Sequence, residues 1–383
     1  MDVDYNICFT QSEKSTSVDT QEIIMQEIII TDKNEGQRLN KFLGKYMDQA
    51  PQSFIYKMLR KKNIKWNGKK ASGNEILGAG DQVQIFMTDE TISKFRKDGR
   101  IPVMLQDKAD DKQKLDEVRS VCDAPHAKDP LKGIDILYED ADILIVNKPV
   151  GLLSQKADAE DYSLNERIVE YYRAKNVGDN LFTPSVCNRL DRNTSGILLA
   201  GMSLKGSRVL SKVLKERTMD KYYLTIVSGK VRESGTKKGF LAKKENHNQV
   251  NIFSTREEAV ASGIDKPAFI ETRYDPLAYG TFQNMEFTLL RVKLVTGKTH
   301  QIRAHLRFMG HPIIGDGKYG LKSVNAVMKK EFGLRHQLLH AYEITFPEHE
   351  KELPEMLQGK VLHAGLPGQF ETIAETIFQN NSL

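Results

Sequence analysis

The centre of the chain reads Asn188-Arg189-Leu190-Asp191-Arg192-Asn193-Thr194-Ser195-Gly196 and continues directly into the apolar run Ile197-Leu198-Leu199-Ala200. The first part places one carboxylate between two arginines and ends in turn-forming residues. Opposite charge within a few ångströms favours the ionised carboxylate. The apolar run predicts a buried strand that would hold the turn in place. These residues alone fit two interpretations: an ordinary Asx-type turn before a core strand, or a site built around the carboxylate.

A second segment with chemical potential follows a predicted strand and reads Val295-Thr296-Gly297-Lys298-Thr299-His300-Gln301-Ile302-Arg303-Ala304-His305-Leu306-Arg307. Gly297 allows a sharp turn, and Thr299 is predicted to cap a helix over 299–309. His300, Arg303 and Arg307 would then share one helix face. Such a cationic stripe suits a phosphate or a lone carboxylate. A solvated basic face is the alternative, but the flanking glycine turns and the availability of Asp191 favour a site.

Length and composition indicate a globular protein of two or three domains, with 383 residues, 39% hydrophobic and 28% charged. Cys8, Cys122 and Cys187 fit no metal-ligand spacing and no disulfide framework, so we expect a reducing compartment. The acidic start has no apolar signal region, and no apolar run approaches the ~20 residues of a membrane span. The sequence therefore predicts a cytoplasmic protein that does not contact membranes.

Positive charge is concentrated near the N-terminus. Between Arg38 and Lys70 there are ten Lys and Arg residues against the single acid Asp48, a local charge of +9 in a chain of net charge +5. A basic module on a nearly neutral body predicts an anionic partner, and nucleic acid fits this charge pattern best. A solvated lysine-rich surface is the alternative.

This basic module is predicted to contain two helices and a small sheet. Apolar spacing predicts one helix from Arg38 and a second from Pro51, and Asn67-Gly68 predicts a hairpin. A strand is also predicted within 22–31. The basic residues expected to contact RNA from this module are Arg38, Lys57, Arg60, Lys61, Lys62 and Lys65.

After a charged linker at 89–132, with a short helix expected near 112–121, a large domain is predicted from Gly133. Its predicted strands are 134–138, 143–146, 221–227, 269–274 and 285–295, and its predicted helices are 164–174, 204–217 with Ser203 as the cap, and 299–309. Strands outnumber helices without regular alternation. This pattern predicts an α+β fold with a mixed sheet rather than a doubly wound fold.

Four blocks, in this order, resemble the RluA family of pseudouridine synthases. They are Leu144-Ile145-Val146-Asn147-Lys148-Pro149 with Gly151-Leu152-Leu153, Arg189 to Gly196, Lys221-Tyr222-Tyr223, and Thr296 to Arg303 extended by Gly310 to Asp316 and Tyr319-Gly320. The basic module resembles an S4 RNA-binding domain. Sequence pattern and resemblance together predict an extension at 1–35, an S4-like domain at 36–88, the linker at 89–132, a catalytic domain at 133–350 with a mixed, mainly antiparallel sheet, and a tail at 351–383.

The resemblance also implies an activity: a uridine in RNA is isomerised to pseudouridine without a metal or other cofactor, and large-subunit ribosomal RNA is the expected substrate. Asp191 would be the catalytic residue, Arg303 its ion-pair partner, and Tyr223 the tyrosine that stacks on the base or handles a proton. A strand tyrosine in the core is the alternative for Tyr223, although Tyr222 on the opposite strand face is the better core candidate. Which step Asp191 performs first, attack on C1′ or removal of the 2′ proton, stays open.

The remaining expectations concern RNA. The target base must leave its stack, and the residues expected to contact RNA around it are Arg189, Arg192, His300 and Arg307. Asn188 stands where the family usually has histidine. Asparagine can donate and accept hydrogen bonds but cannot be protonated, which suggests a positional role. Transfer RNA as substrate, a non-catalytic RNA-binding protein and a nucleoside glycosylase remain alternatives. We expect a monomer.

Overall fold

The computed structural model describes residues 25–31, 34–96, 129–175, 182–243 and 250–378. The described residues form two compact units, one within 1–104 and the other within 105–383. None of the helices in the described ranges combines the length and the apolar character needed to cross a membrane.

The described part of the N-terminal unit is a four-stranded antiparallel sheet with three helices. Its elements are β1 (Met25–Ile29), α1 (Leu39–Tyr46), α2 (Gln52–Arg60), β2 (Ile64–Trp66), β3 (Lys69–Lys70), β4 (Gln82–Phe86) and α3 (Asp89–Lys94). The strand order is β1-β4-β2-β3. Helices α1 and α2 bury the apolar residues that predicted them, among them Phe42 and Leu59. The two helices, the hairpin at Asn67-Gly68 and the small sheet are confirmed.

Both ends of this unit extend beyond the predicted limits of 36 and 88. Strand β1 pairs with β4 over five residues, so part of the predicted extension completes the sheet. After α3, the ring of Phe95 lies 4.4 Å from the ring of Phe54, and Arg96 donates a hydrogen bond to the carbonyl of Tyr46 at 2.7 Å. The start of the predicted linker is therefore folded onto the unit. The helix expected near 112–121 lies outside the described residues.

The second unit is an α+β domain, as predicted. Its elements are β5 (Asp135–Glu139), β6 (Ile143–Lys148), α4 (Leu164–Lys175), β7 (Ser185–Val186), β8 (Ser195–Gly201), α5 (Leu204–Glu216), β9 (Asp220–Ser228), β10 (Gly235–Lys243), β11 (Val250–Phe253), α6 (Arg256–Ala261), β12 (Ala268–Phe282), β13 (Met285–Leu294), α7 (Gln301–Phe308), α8 (Lys322–Phe332), β14 (Leu339–Thr345), a 3-10 turn (Glu355–Leu357), β15 (Val361–His363) and α9 (Gly368–Ile377).

The described strands of this domain form one sheet in the order β11-β10-β12-β13-β9-β14-β8-β6-β5, with β15 beside β14 and β7 beside β8. The pair β8–β14 is parallel, through His340↔Ser195 and Ala341↔Gly196, and the other described pairs are antiparallel. The mixed, mainly antiparallel sheet expected from the family resemblance is therefore confirmed.

One core cluster brings the two chemically interesting segments together. Leu190, from the first segment, packs with Ile302 and Leu306 of α7 and with strand residues such as Val227 and Val292. The apolar face of α7 thus lies against β9 and β13, next to the turn that precedes β8. Burial of these side chains fixes the helix beside that turn.

The capping predictions had different outcomes. Ser203 caps α5 and accepts a hydrogen bond from the backbone N–H of Gly206 at 3.0 Å, as predicted. Thr299 does not cap α7. The N-cap is His300, which has a left-handed conformation with φ of 53° and makes no side-chain capping bond. The left-handed conformation of His300 turns the chain into the helix without a side-chain cap. The helix therefore begins at Gln301.

The predicted C-terminal tail is instead part of the domain. Strand β15 pairs with β14, and α9 buries Phe370, Ile373, Ala374 and Ile377 in a core cluster shared with β9, β13 and α8. The apolar face of α9 completes this part of the core. The domain boundary predicted at 350 therefore moves to at least 378.

Gly196 is required at the start of β8, and we expect Gly196→Ala to lower the free energy of unfolding by about 3 kcal/mol. Its φ is 110°, and an added β-carbon would clash with the backbone of Ala341 in the parallel pair. Gly151→Ala is the matched control, because Gly151 also has a positive φ of 86° but has open space around it. We expect the control to cost about 1 kcal/mol in chemical denaturation. Equal losses in the two variants would contradict the clash.

Candidate functional site

The backbone on both sides of Asp191 is tied down by hydrogen bonds. Ser154 Oγ accepts from the N–H of Leu190 at 3.0 Å and donates to the Leu190 carbonyl at 2.9 Å. On the other side, the Arg192 carbonyl accepts from the N–H of Gly151 at 3.0 Å. The N–H of Thr194 closes the turn on the Asp191 carbonyl at 3.0 Å. The turn thus presents the carboxylate from a fixed backbone.

A buried lysine reinforces this arrangement. Lys148 Nζ donates to the carbonyls of Pro149, Leu152 and Arg192 at 3.0, 2.8 and 3.1 Å. Burial lowers the pKa of Lys148 to about 7, although the charge of Asp191 opposes this effect. Three carbonyl acceptors favour the ammonium, because it has three donors. Lys148 therefore joins the end of β6 to the Asp191 turn.

Asn188 connects the start of the turn to the strand that follows it. Its Oδ1 accepts from the N–H of Leu199 at 2.7 Å, and its Nδ2 donates to the carbonyl of Ile197 at 3.4 Å. Both hydrogen bonds are made by the uncharged side-chain amide, and both hold main-chain groups of β8. This geometry agrees with the positional role expected for asparagine at this place.

Arg303 is the central residue of the site. Its Nε and Nη2 donate to Oδ2 and Oδ1 of Asp316 at 2.7 and 2.9 Å, and its Nη1 donates to Oδ2 of Asp191 at 2.7 Å. The exposed side-chain fractions are 7% for Arg303, 0% for Asp316 and 26% for Asp191. The bidentate bond to Asp316 fixes the guanidinium plane and directs the remaining donor at Asp191.

The buried pair is charged. Burial alone would lower the pKa of Arg303, but Asp316 and then Asp191 raise it, and the net shift is upward. Burial alone would raise the pKa of Asp316, but Arg303 and the backbone N–H groups of Lys318 and Tyr319 lower it overall. Asp191 therefore faces the fixed cation of Arg303, and Asp316 balances the charge of Arg303 from another side of the guanidinium.

The two oxygens of Asp191 have different surroundings. Oδ2 accepts from Arg303 and lies 3.9 Å from Nε2 of His300. Within the described ranges, no hydrogen bond reaches Oδ1. A carboxylate with one oxygen held by a guanidinium and the other unpaired is oriented for attack or for proton removal.

Tyr223 lies on β9 beside this carboxylate. The residue is buried in the cluster that contains Leu190, Val292 and Ile302. Burial raises the pKa of its hydroxyl, and the charge of Asp191 raises it further, so the neutral phenol is the stable form near neutral pH. Tyr223 therefore combines a core position with proximity to Asp191.

The expectation that Tyr222 is the core tyrosine is wrong. Tyr222 is only half-buried, and the guanidinium of Arg291 lies 4.0 Å from its ring centroid. Its antiparallel partner on β13 is Lys293, whereas Tyr223 is paired with Val292. Cations of β13 therefore cover Tyr222, whereas Tyr223, on the opposite face of β9, packs into the apolar cluster beside α7.

The arginines that flank Asp191 in sequence do not hold its carboxylate in the structure. Arg189 is exposed, and Arg192 is 57% exposed with its Nη2 3.5 Å from Oδ1 of Asp161. Arg303, 112 residues away in sequence, provides the cation. The predicted stripe along α7 is also absent. His300 precedes the helix, Arg303 is buried, and Arg307 is exposed in the last turn.

Asp316 and Tyr319 both contribute to the site, although the sequence predicted no role for either residue. Asp316 is the only acid between Thr296 and Gly320, and this isolated charge among several cations was the available signal. Tyr319 lies under Arg303, 5.4 Å from ring centroid to guanidinium carbon, and its hydroxyl contacts Nδ1 of His300 at 3.1 Å. Its position depends on the tertiary fold, which no local pattern specifies.

The predicted RNA-contacting residues of the N-terminal unit lie on its surface. Those exposed are Arg38, Lys57, Arg60, Lys61 and Lys62. Lys65 is half-buried, with its ammonium 4.9 Å from the ring centroid of Phe86. In the described part of the chain, no group of three or more His, Cys, Asp or Glu side chains is arranged to hold a metal ion.

Comparison with known proteins identifies the family. The family described as RNA pseudouridylate synthase matches residues 142–308, which include Asp191 and Arg303. A Vibrio cholerae protein named ribosomal large subunit pseudouridine synthase C is 30% identical over 350 residues, covering 91% of this chain and 95% of the relative. A Buchnera aphidicola protein of the same name is 29% identical over 332 residues, covering 85% and 90%.

Among solved structures, human RNA pseudouridylate synthase domain containing 4 aligns with a TM-score of 0.49 at 20% identity, covering 63% of this chain and 91% of the human chain. The extent and identity of the sequence matches confirm the resemblance that the four sequence blocks predicted. The chain belongs to the family of RNA pseudouridylate synthases.

Proposed function

We propose that this protein isomerises uridine to pseudouridine in large-subunit ribosomal RNA, with Asp191 as the catalytic residue. The observation that carries the proposal is the buried Asp316–Arg303 pair, which holds one oxygen of Asp191 and leaves the other without a hydrogen bond from any described residue. The ribosomal substrate is supported by the names of relatives that align over most of this chain.

The reaction requires an oxygen that reacts at the ribose. The C1′–N1 bond breaks, the uracil turns, and a C1′–C5 bond forms while C5 loses a proton and N1 gains one. Asp191 Oδ1 either attacks C1′ directly or removes the 2′ proton to start an elimination. Both routes use a carboxylate oriented through Oδ2, so the proposed role of Asp191 is the same in both.

Tyr223 is proposed to contact the displaced base. A base must leave its stack to reach Asp191, and an aromatic side chain beside the carboxylate offers it a surface. The high pKa of Tyr223 keeps its hydroxyl as a neutral donor near neutral pH. We propose RNA contacts for the exposed Arg189, Arg192 and Arg307, where solvent-facing guanidiniums suit phosphates.

The N-terminal unit is proposed to be an S4-like RNA-binding domain that includes residues 25–96, followed by a linker and the catalytic domain. Its support is the exposed basic surface of α2 and the following turn, at Lys57, Arg60, Lys61 and Lys62. Phosphate contacts from such residues position RNA without specifying its sequence. A monomer is the proposed oligomeric state, because one chain supplies Asp191, Arg303 and Tyr223. A cytoplasmic location, expected from the sequence, is proposed with it.

We expect the triple change Lys57→Gln, Arg60→Gln, Lys61→Gln to weaken RNA binding by about tenfold or more at low salt. The slope of log affinity against log salt should fall by about 1 for each lost phosphate contact. RNA binding measured over a salt series tests this. The control replaces three exposed lysines of α8 with glutamine, at Lys322, Lys329 and Lys330. Equal effects of the two triple variants would contradict a specific RNA surface.

The direct test of the proposed function is incubation of the purified protein with unmodified large-subunit ribosomal RNA and, separately, with unmodified transfer RNA. Nucleosides are then analysed by chromatography and mass spectrometry. We expect uridine in the ribosomal RNA to become pseudouridine at constant RNA mass. Conversion of transfer RNA alone would overturn the assigned substrate. Release of free uracil would indicate a glycosylase, and binding without conversion would indicate a non-catalytic RNA-binding protein.

A further inference from the structure

His300 is held by a chain of hydrogen bonds that begins on a neighbouring strand. The backbone N–H of Val250, the first residue of β11, donates to the hydroxyl oxygen of Tyr319 at 2.9 Å. The Tyr319 hydroxyl lies 3.1 Å from Nδ1 of His300. Because that oxygen already accepts from Val250, its own proton is free to point at Nδ1. A neutral His300 then carries its proton on Nε2, the nitrogen that faces Asp191.

The surroundings of His300 favour this neutral form. Its side chain is 13% exposed, and burial is the main cause that lowers its pKa. Asp191 and Asp316 act in the opposite direction, while Arg303 and Lys318 add to the lowering. Near neutral pH the ring is therefore a neutral donor with its Nε2–H directed at the carboxylate.

The backbone at His300 is also unusual. A φ of 53° is uncommon for a residue other than glycine, asparagine or aspartate. Sparsely populated backbone conformations of this kind cluster at functional sites, where surrounding contacts hold them. The residue in this conformation places its Nε2 3.9 Å from Oδ2 of Asp191.

We infer that His300 is a positioning residue whose Nε2–H faces Asp191 Oδ2, so that His300 and Arg303 together hold that oxygen and turn Oδ1 toward the ribose. This inference rests on the proposed function. The Nε2–Oδ2 distance of 3.9 Å is longer than a hydrogen bond. Hydrogen bonds in active sites without substrate are often long and tighten when substrate binds. His300 therefore acts on the carboxylate and not primarily on RNA phosphate.

Three substitutions separate this role from a general structural one. In His300→Gln the amide nitrogen reaches the place of Nε2. In His300→Asn it reaches only the place of Nδ1, although asparagine suits the left-handed backbone. His300→Ala removes both. His349→Asn is the matched control, because His349 is 94% exposed. Single-turnover rates of pseudouridine formation and RNA dissociation constants are measured for all four.

We expect the Asn and Ala variants to lose about 10- to 100-fold in single-turnover rate, the effect of one lost hydrogen bond to a charged group. The Gln variant should recover most of this rate, and His349→Asn should match wild type. RNA affinity should stay within about twofold in all variants, because the phosphate contacts that dominate affinity are unchanged. Wild-type rates in His300→Asn, or a loss in His300→Gln as large as in His300→Ala, would overturn the inference.

A second measurement does not depend on turnover. With 15N-labelled histidine, the His300 resonances are identified by their absence from His300→Asn. We expect a neutral ring protonated on Nε2 at pH 7, and partial loss of that tautomer in Tyr319→Phe. A ring protonated on Nδ1, or on both nitrogens, would overturn the inference while leaving the proposed function intact. A wild-type protein that forms no pseudouridine in any RNA would overturn both.

Discussion

Asp191→Asn is expected to reduce the single-turnover rate of pseudouridine formation by at least about 10⁴-fold, the scale seen when a reacting side chain is removed from an enzyme. An amide keeps the size of the carboxylate and still offers an oxygen to Arg303, but it neither attacks C1′ nor removes a proton. The turn should persist, because its hydrogen bonds use the backbone of Leu190, Asp191 and Arg192.

The control for this substitution is Asp265→Asn, which changes an exposed aspartate outside the site. Its rate should equal that of wild type. Thermal unfolding and RNA affinity of Asp191→Asn should also stay close to wild type, so the loss is assigned to the chemical step. A residual rate within about tenfold of wild type would mean that another group performs that step.

Arg303→Met is expected to abolish measurable turnover and to lower the free energy of unfolding at pH 7 by about 3–5 kcal/mol. Methionine fills similar space but leaves Asp316, with no exposed side-chain surface, as a buried carboxylate without its cation. The same change removes the donor that holds Oδ2 of Asp191. Chemical denaturation and single-turnover kinetics measure the two losses separately.

The stability loss should depend on pH in a defined direction. In wild type, the pKa of Asp316 is lowered overall, so its ion pair stabilises the fold above the usual carboxyl range and is lost as pH falls through the folded pKa. In Arg303→Met, burial without a cation raises that pKa above its unfolded value. The folded variant then gains relative stability as Asp316 is protonated, so the deficit should shrink from pH 7 toward pH 4.

Asp316→Asn added to Arg303→Met provides the matched variant. Its amide oxygen still accepts from the N–H groups of Lys318 and Tyr319 and carries no charge. We expect the double variant to be more stable than Arg303→Met at pH 7 and to show no such pH dependence, while remaining inactive. A deficit of Arg303→Met that is independent of pH would contradict the buried-charge account.

Local patterns were sufficient for most of the secondary structure. Ser203 before an apolar periodic run predicted α5 with its cap, and Asn67-Gly68 predicted the hairpin, because caps and tight turns are specified by a few adjacent residues. Helix α7 was less accurate at its start. Thr299 is of a residue type that suits an N-cap, but the fold places its neighbour His300 in that position.

Pairing between distant residues required more than local pattern. The partner of Asp191 was identified through the family blocks rather than through its arginine neighbours in sequence, since Arg303 reaches it across the core. Asp316 and Tyr319 contribute only after α7 and the following loop fold back on each other. The burial of α9 likewise depends on strands and a helix far from it in sequence.

The central claim is that Asp191, held through Oδ2 by the Asp316–Arg303 pair, isomerises uridine in large-subunit ribosomal RNA. The most direct measurement is nucleotide-resolution pseudouridine mapping of ribosomal RNA from cells lacking this protein, complemented with wild type or with Asp191→Asn at equal protein levels. We predict that specific pseudouridines disappear without the protein, return with wild type and stay absent with Asp191→Asn. Restoration of every lost site by Asp191→Asn, or no lost site in the absence of the protein, would contradict the claim.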